Sequence, residues 1–230
     1  MIIHQIFISD GTDPDENSQL EENKIKFESF YLNDEYRLWR NQDILNFMNE
    51  IYPDMIVPYN RLQSYASKAD LARLLILNHF GGWYYDFYTH PLIEIDVSDK
   101  EMVFFSDIQE NTNTSFAVAN GLFYSVKNNP VLQTGIALIL SNISQLYYGG
   151  NPLCASSTVP FGRAIAIHGY NSKHIVGRHK EIDGRRVFVL PDESIFANGK
   201  SLPGGEIALS GTNSYNKIWH EKNYYGEKNF

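Results

Sequence analysis

An α/β fold in one domain is predicted for these 230 residues by three observations. Apolar and aromatic runs of strand length alternate with segments of helical periodicity. Apolar residues make up 43% of the chain, enough for a packed core. No internal repeat or low-complexity linker divides it, so residues 1–230 read as a single unit.

Each element has its own signal. Residues 2–8 form a mostly apolar strand that runs into the turn-rich Ser9-Asp10-Gly11-Thr12-Asp13-Pro14-Asp15. A polar, Glu/Lys-rich helix is expected from Gln19 to about Tyr31, and Tyr36-Arg37-Leu38-Trp39 is the second strand. Ile44, Phe47, Met48 and Ile51 recur at helical spacing, which predicts an amphipathic helix over 43–52, opened by Asn41 or Asp43 and stopped by Pro53. Ser67 with Asp70 three residues on predicts a capped helix over 68–80, with Leu71, Leu74 and Leu75 buried and Gly81 as its left-handed end. Gly82 then opens an aromatic strand, Trp83 to Phe87, with Asp86 near its carboxyl end, where open α/β sheets bind ligands.

Strands are further expected at 102–105 and at 116–126, the second interrupted at Asn120-Gly121. Asn128-Asn129-Pro130 starts a helix through Leu140, a helix runs from Phe161 to His168, and a strand covers 187–190 before a Gly/Pro-rich loop through Gly205.

Composition excludes several classes of function. A net charge of −8 and a pI near 5.3, with no Lys/Arg run, lack the footprint of a nucleic-acid binder. No apolar run approaches the ~20 residues that span a bilayer, and the first residues lack the basic start of a secretion signal. With a single cysteine, Cys154, this points to a cytoplasmic protein with at most peripheral contact at the inner membrane. Fifteen tyrosines lean towards a carbohydrate or nucleotide site, because the ring stacks while the hydroxyl bonds.

The chemistry-bearing motifs are few. Asn198-Gly199-Lys200-Ser201 fails as a phosphate loop, because Pro203-Gly204-Gly205 forbids the following helix. His168, His174 and His179 match no metal spacing and read as scattered surface histidines. Asp70 and Arg73 share a helix face, which by itself is an ordinary exposed ion pair.

Taken together, Ile3-His4-Gln5-Ile6-Phe7-Ile8, Tyr36-Arg37-Leu38-Trp39, Ala69-Asp70-Leu71-Ala72-Arg73, Gly81-Gly82-Trp83-Tyr84-Tyr85-Asp86 and, near the C-terminus, Asn213-Ser214-Tyr215 with Trp219-His220 resemble the family 32 glycosyltransferases. The resemblance is close from residue 2 to about 126 and looser beyond. It implies a GT-A type, Rossmann-like domain with a mixed central sheet, a UDP- or GDP-sugar donor, and retaining transfer of a hexose to a glycan or lipid-linked oligosaccharide. Bacterial surface polysaccharide synthesis, as of capsule or O-antigen, is the implied setting.

Position by position, the resemblance places Phe7 against the nucleotide base, Asp70 and Arg73 on the donor sugar and diphosphate, and Asn120 at the reaction centre. Asp86 becomes the first aspartate of the DxD motif, a donor-binding, catalytic and metal-ligating residue for Mn²⁺ or Mg²⁺. Ser214, Trp219 and His220 belong to a loop that closes on the donor. The departure is Tyr88, which stands where the motif has its second aspartate; a phenol is a poor ligand for a hard cation. His90 is the nearest substitute ligand. Alternatives to the polysaccharide enzyme are a non-catalytic sugar-nucleotide or glycan-binding protein, and a transferase that glycosylates a protein.

Overall fold

The structure, a computed structural model, describes residues 1–9, 14–108, 114–199 and 215–226. Its strands are β1 (Ile2–Ile6), β2 (Glu35–Trp39), β3 (Gly82–Asp86), β4 (His90–Pro91), β5 (Met102–Ser106), β6 (Val118–Ser125), β7 (His174–Ile182), β8 (Arg185–Val189) and β9 (Ile195–Asn198). They form one mixed sheet in the order β2-β1-β3-β6-β5-β7-β8-β9-β4. β1 pairs in parallel with β2 and β3, β6 runs antiparallel to both β3 and β5, and β7 is parallel to β5. Strands β2, β1, β3, β5 and β7 therefore point the same way, and their carboxyl ends share one edge of the sheet.

The helices are α1 (Ser18–Phe30), α2 (Asn41–Ile51), α3 (Ile56–Arg61), α4 (Tyr65–Phe80), α5 (Pro130–Ser144), α6 (Thr158–His168) and α7 (Tyr215–His220). Strand alternation distributes the aromatic run over both sheet faces. Trp83 and Tyr85 pack with Phe27 of α1, with Tyr31 just beyond its end, and with Phe188 and Phe196 on the β8–β9 side. Tyr84 turns the other way, into the cluster built by α2, α4, α5 and α6.

Helix α4 is the centre of that second face. Leu71 through Asn78 are buried without a break, so the expected one-sided stripe of Leu71, Leu74 and Leu75 is in fact a helix apolar nearly all round. Each of its leucines contributes about 2 kcal/mol by leaving water. The helix also starts earlier than its sequence suggests. Ser64 is the cap and accepts from the Ser67 N–H at 3.0 Å, so Asp70 lies in the second turn.

Gly81 ends α4 with φ of +70°, and Gly82 follows at +99°. A Cβ on residue 82 would collide with the carbonyl oxygen of Ile2, so this pair lets the chain leave α4 and enter the sheet beside β1. On α2, the Asp43 carboxylate accepts the Arg40 N–H at 2.9 Å, so it caps from inside the first turn. Helix α6 begins at Thr158, three residues before its apolar signal, and α3, β4, β7 and β9 carry no clear local signal in the sequence. β6 is continuous through Asn120-Gly121; what breaks there is its ladder to β5, which shifts register between Val103 and Phe105.

Candidate functional site

A cleft of about 660 Å³ opens at the edge where the parallel strands end. That is the size range of small-molecule sites and the place α/β sheets put them. Phe7 follows β1, Asp86 ends β3, and Asn120 and Gly121 come from β6; Asp70 and Arg73 reach the cleft from α4.

These residues form one buried network. Arg73 Nη2 lies 3.3 Å from Asp70 Oδ1, and Nη1 lies 3.3 Å from Asp86 Oδ1 while donating to the Asn120 carbonyl at 2.6 Å. The guanidinium also sits 4.6 Å from the centroid of the Tyr84 ring, and the Tyr84 hydroxyl donates to Asp86 Oδ1 at 2.9 Å. Tyr84 and Asp86 meet Arg73 because residues two apart on a strand share a face, here the face that α4 covers. The ion pair that sequence alone reads as exposed is thus buried, with Asp70 and Arg73 only 6% and 4% exposed.

Asp70 is held from three sides. The Asn120 amide donates to its Oδ1 and the Ser156 hydroxyl to its Oδ2, both at 2.8 Å, and Ser156 in turn meets the Tyr224 hydroxyl at 2.7 Å. Burial pushes the Asp70 carboxyl above the usual range, against the pull of Arg73, Ser156 and Asn120. Beside it, Ser157 donates to the Asn120 side-chain oxygen at 3.3 Å. Asp86 is the open end of the network, 25% exposed at its side chain.

Phe7 borders the cleft but shows little surface, at 6% exposed, with its ring tilted against Phe87 at 4.8 Å. Ser214 lies outside the described residues. Trp219 and His220 do not border the cleft. The Trp219 indole donates to the Tyr148 carbonyl at 2.9 Å, which makes it an anchor for α7, and His220 is exposed against the Trp219 ring. The first turn of α7 supplies Tyr215 and Asn216 to the cleft instead. Burial raises the Tyr215 hydroxyl pKa.

Sequence reasoning missed Ser156, Ser157 and Tyr224. The run Ala155-Ser156-Ser157-Thr158 ahead of a helix is a signal for polar contacts, but its partner Asp70 is 86 residues away along the chain. His179 was misplaced as a surface residue; it borders the cleft in contact with Asp107.

A divalent cation needs several oxygen ligands. Asp86 Oδ1 is engaged by Tyr84 and Arg73, position 88 is a tyrosine, and His90 turns away to meet Asn23 Oδ1 at 2.6 Å. Among the described residues no three His, Cys, Asp or Glu side chains converge on a point. The described residues therefore do not by themselves complete a site for a resident Mn²⁺ or Mg²⁺, since Asp86 Oδ1 is already shared with Tyr84 and Arg73. No helix among the described residues is long and apolar enough to cross a membrane.

Residues 17–113 match the family described as the glycosyltransferase sugar-binding region containing the DXD motif. An uncharacterized glycosyltransferase, L373, of Acanthamoeba polyphaga mimivirus is 32% identical over 133 residues, which is 56% of this chain and 51% of the viral protein. The chain thus matches about half the length of that relative. The solved structure of the PaToxG glycosyltransferase superposes with a TM-score of 0.52 over 73% of this chain and 68% of its own, at 17% identity. That likeness shows the fold, a GT-A type α/β architecture with a mixed sheet.

Proposed function

From a chain whose residues 17–113 match the glycosyltransferase sugar-binding region containing the DXD motif, we propose a transferase that moves a hexose from a UDP- or GDP-sugar to a hydroxyl of a glycan acceptor. The observation that carries this reading is the Asp70–Arg73–Asn120–Asp86 network, buried at one end and open to the cleft at the other. In it Asp70 and Asn120 fix Arg73, and Arg73 and Tyr84 fix Asp86. Asp86 is then presented to donor hydroxyls as an oriented acceptor, and the guanidinium offsets charge that builds on the departing diphosphate. Phe7 supplies an apolar edge for the base.

The transfer in this reading retains anomeric configuration. Asp70 and Asp86 are both committed to Arg73, so neither serves as a base towards the incoming hydroxyl. The bond from the anomeric carbon to the diphosphate breaks, the bond to the acceptor oxygen forms on the same face, and the acceptor proton passes to the departing phosphate oxygen. Assembly of a surface polysaccharide is the setting we favour, and a lipid-linked acceptor would bring the protein to a membrane surface peripherally.

A second reading, a sugar-nucleotide or glycan-binding protein without turnover, is favoured by Tyr88, which removes a carboxylate from the motif. One experiment separates the two: calorimetric titration of the full chain with UDP- and GDP-sugars, each in Mn²⁺ and in EDTA, followed by an assay for donor hydrolysis. Binding with slow hydrolysis supports the transferase. Binding with no hydrolysis and no transfer to any glycan supports the second reading, and no binding overturns both donor-site assignments.

A further inference from the structure

The cleft has a second polar end, built by strands on the other side of Asn120. Asp107 directly follows β5, as Asp86 ends β3, and β7 brings His179 beside it. Asp107 Oδ1 lies 2.8 Å from His179 Nδ1 and also accepts the Ile108 N–H at 2.9 Å. The His179 ring lies on Phe188, its partner across the β7–β8 ladder, with centroids 4.6 Å apart and planes within 11°. The Asp107 and His179 side chains are only 10% and 13% exposed, and both border the cleft.

This arrangement decides what the histidine presents. With the Asp107 carboxylate as its partner, Nδ1 is the donor, which leaves Nε2 as the hydrogen-bond acceptor. Phe188 against one face and Asp107 at one edge leave the ring little freedom to turn. The result is a fixed acceptor atom for a hydroxyl, in a cleft whose other end offers Asp86 and Arg73.

The two ends serve different groups. β6 and β5 stand between β3 and β7, and three strand spacings put Asp86 and His179 about 14 Å apart. No single phosphate or sugar ring touches both. We propose that the Asp107–His179 pair is the acceptor end of the cleft: His179 Nε2 receives a hydrogen bond from a saccharide hydroxyl and orients the acceptor, and Asp107 is the positioning residue that sets the tautomer. The contact is a hydrogen bond only, and no proton is transferred to the histidine. The assignment of this saccharide as acceptor rests on the transferase reading above; the saccharide contact itself does not.

The test uses the full chain labelled with ¹⁵N in its histidines, with the His179 resonances assigned by their loss in His179→Gln. Methyl α-glucoside, methyl α-mannoside and N-acetylglucosamine are titrated, with and without UDP or GDP. The expected result is an unprotonated Nε2 that shifts with at least one saccharide and not with nucleotide alone. Asp107→Asn, which reverses the hydrogen bond to Nδ1, is expected to weaken that saccharide at least about tenfold, the loss of roughly one good hydrogen bond. A His179 signal that moves with nucleotide alone, or with none of these probes, overturns the proposal. Nucleotide sugars that bind while no saccharide reaches His179 overturn this proposal and leave the transferase reading standing. Saccharides that shift His179 in a chain that binds no nucleotide sugar do the reverse.

Discussion

Asp86 occupies the space in which a Cβ on residue 121 would stand: its Oδ2 lies 2.5 Å from that position. Gly121 is therefore a condition for the carboxylate's place. The obstructing atom is the end of a side chain, which can swing aside, so Gly121→Ala is expected to cost less than about 1 kcal/mol of stability. It should nevertheless weaken donor binding at least about tenfold, because Asp86 loses its contacts to Tyr84 and Arg73. Calorimetry against the donor alongside thermal unfolding checks this; binding unchanged at unchanged melting temperature contradicts it.

Arg73 is the cation on which two carboxylates depend. Arg73→Gln leaves Asp70 buried without its counter-charge, and the expected loss is about 3–5 kcal/mol in urea unfolding. Adding Asp70→Asn should recover part of that loss, since the two residues are directly coupled. Simple additivity of the two losses would show that the pair is not a unit.

Position 88 decides the response to metal. Because the described residues do not by themselves complete a site for a resident cation, donor binding by the native chain is expected to be the same in Mn²⁺ and in EDTA within about twofold. Tyr88→Asp should make it tighter in Mn²⁺ by about tenfold or more, as a second carboxylate joins Asp86. A substituted chain whose binding ignores Mn²⁺ would show that residue 88 does not face the diphosphate.

His4 sets a dependence of stability on acidity. It is fully buried on β1, with Nε2 at 3.1 Å from the Gly81 carbonyl and Nδ1 accepting the Trp39 indole N–H at 3.1 Å. Burial above all lowers its pKa from 6.5 to about 4, the Gly81 contact opposing this and Arg37 adding to it. The unfolded chain binds the proton first as pH falls, so this stabilisation is complete above pH 6.5 and is lost progressively down to about pH 4. The loss is roughly 3 kcal/mol. Melting temperatures from pH 7.5 to 4.5 should fall less steeply in His4→Gln than in the native chain, and parallel curves would exclude His4 as the group.

The parts of this protein legible in its sequence are those fixed by neighbours along the chain. The aromatic strand after Gly81-Gly82 and the helix before it are written in local spacing, and so is the place of Asp86 at a strand end. The burial of Asp70 and Arg73 is not, because it depends on Asn120, Ser156 and Tyr224, which only tertiary packing brings together. For the same reason His179 reads as a surface residue until Asp107 and Phe188 are set beside it. Trp219 illustrates the opposite error: a large aromatic near a polar loop suggests a ligand contact, and here it holds a short helix to a backbone carbonyl.

The support of Asp70 by Tyr224 also bears on the order in which the protein is made. Residues 224–226 lie against 61–63, where the Gln63 N–H donates to the Tyr224 carbonyl at 3.1 Å and the Gly226 N–H to the Arg61 carbonyl at 2.8 Å. A chain still emerging from the ribosome has already exposed α4 and β3, yet Ser156 and Tyr224 have not arrived to complete the surroundings of Asp70. The nascent protein therefore carries its buried ion pair unfinished until Ser156 and Tyr224 have been added. The surroundings of Asp70 close only when residues 224–226 fasten onto 61–63, just ahead of α4.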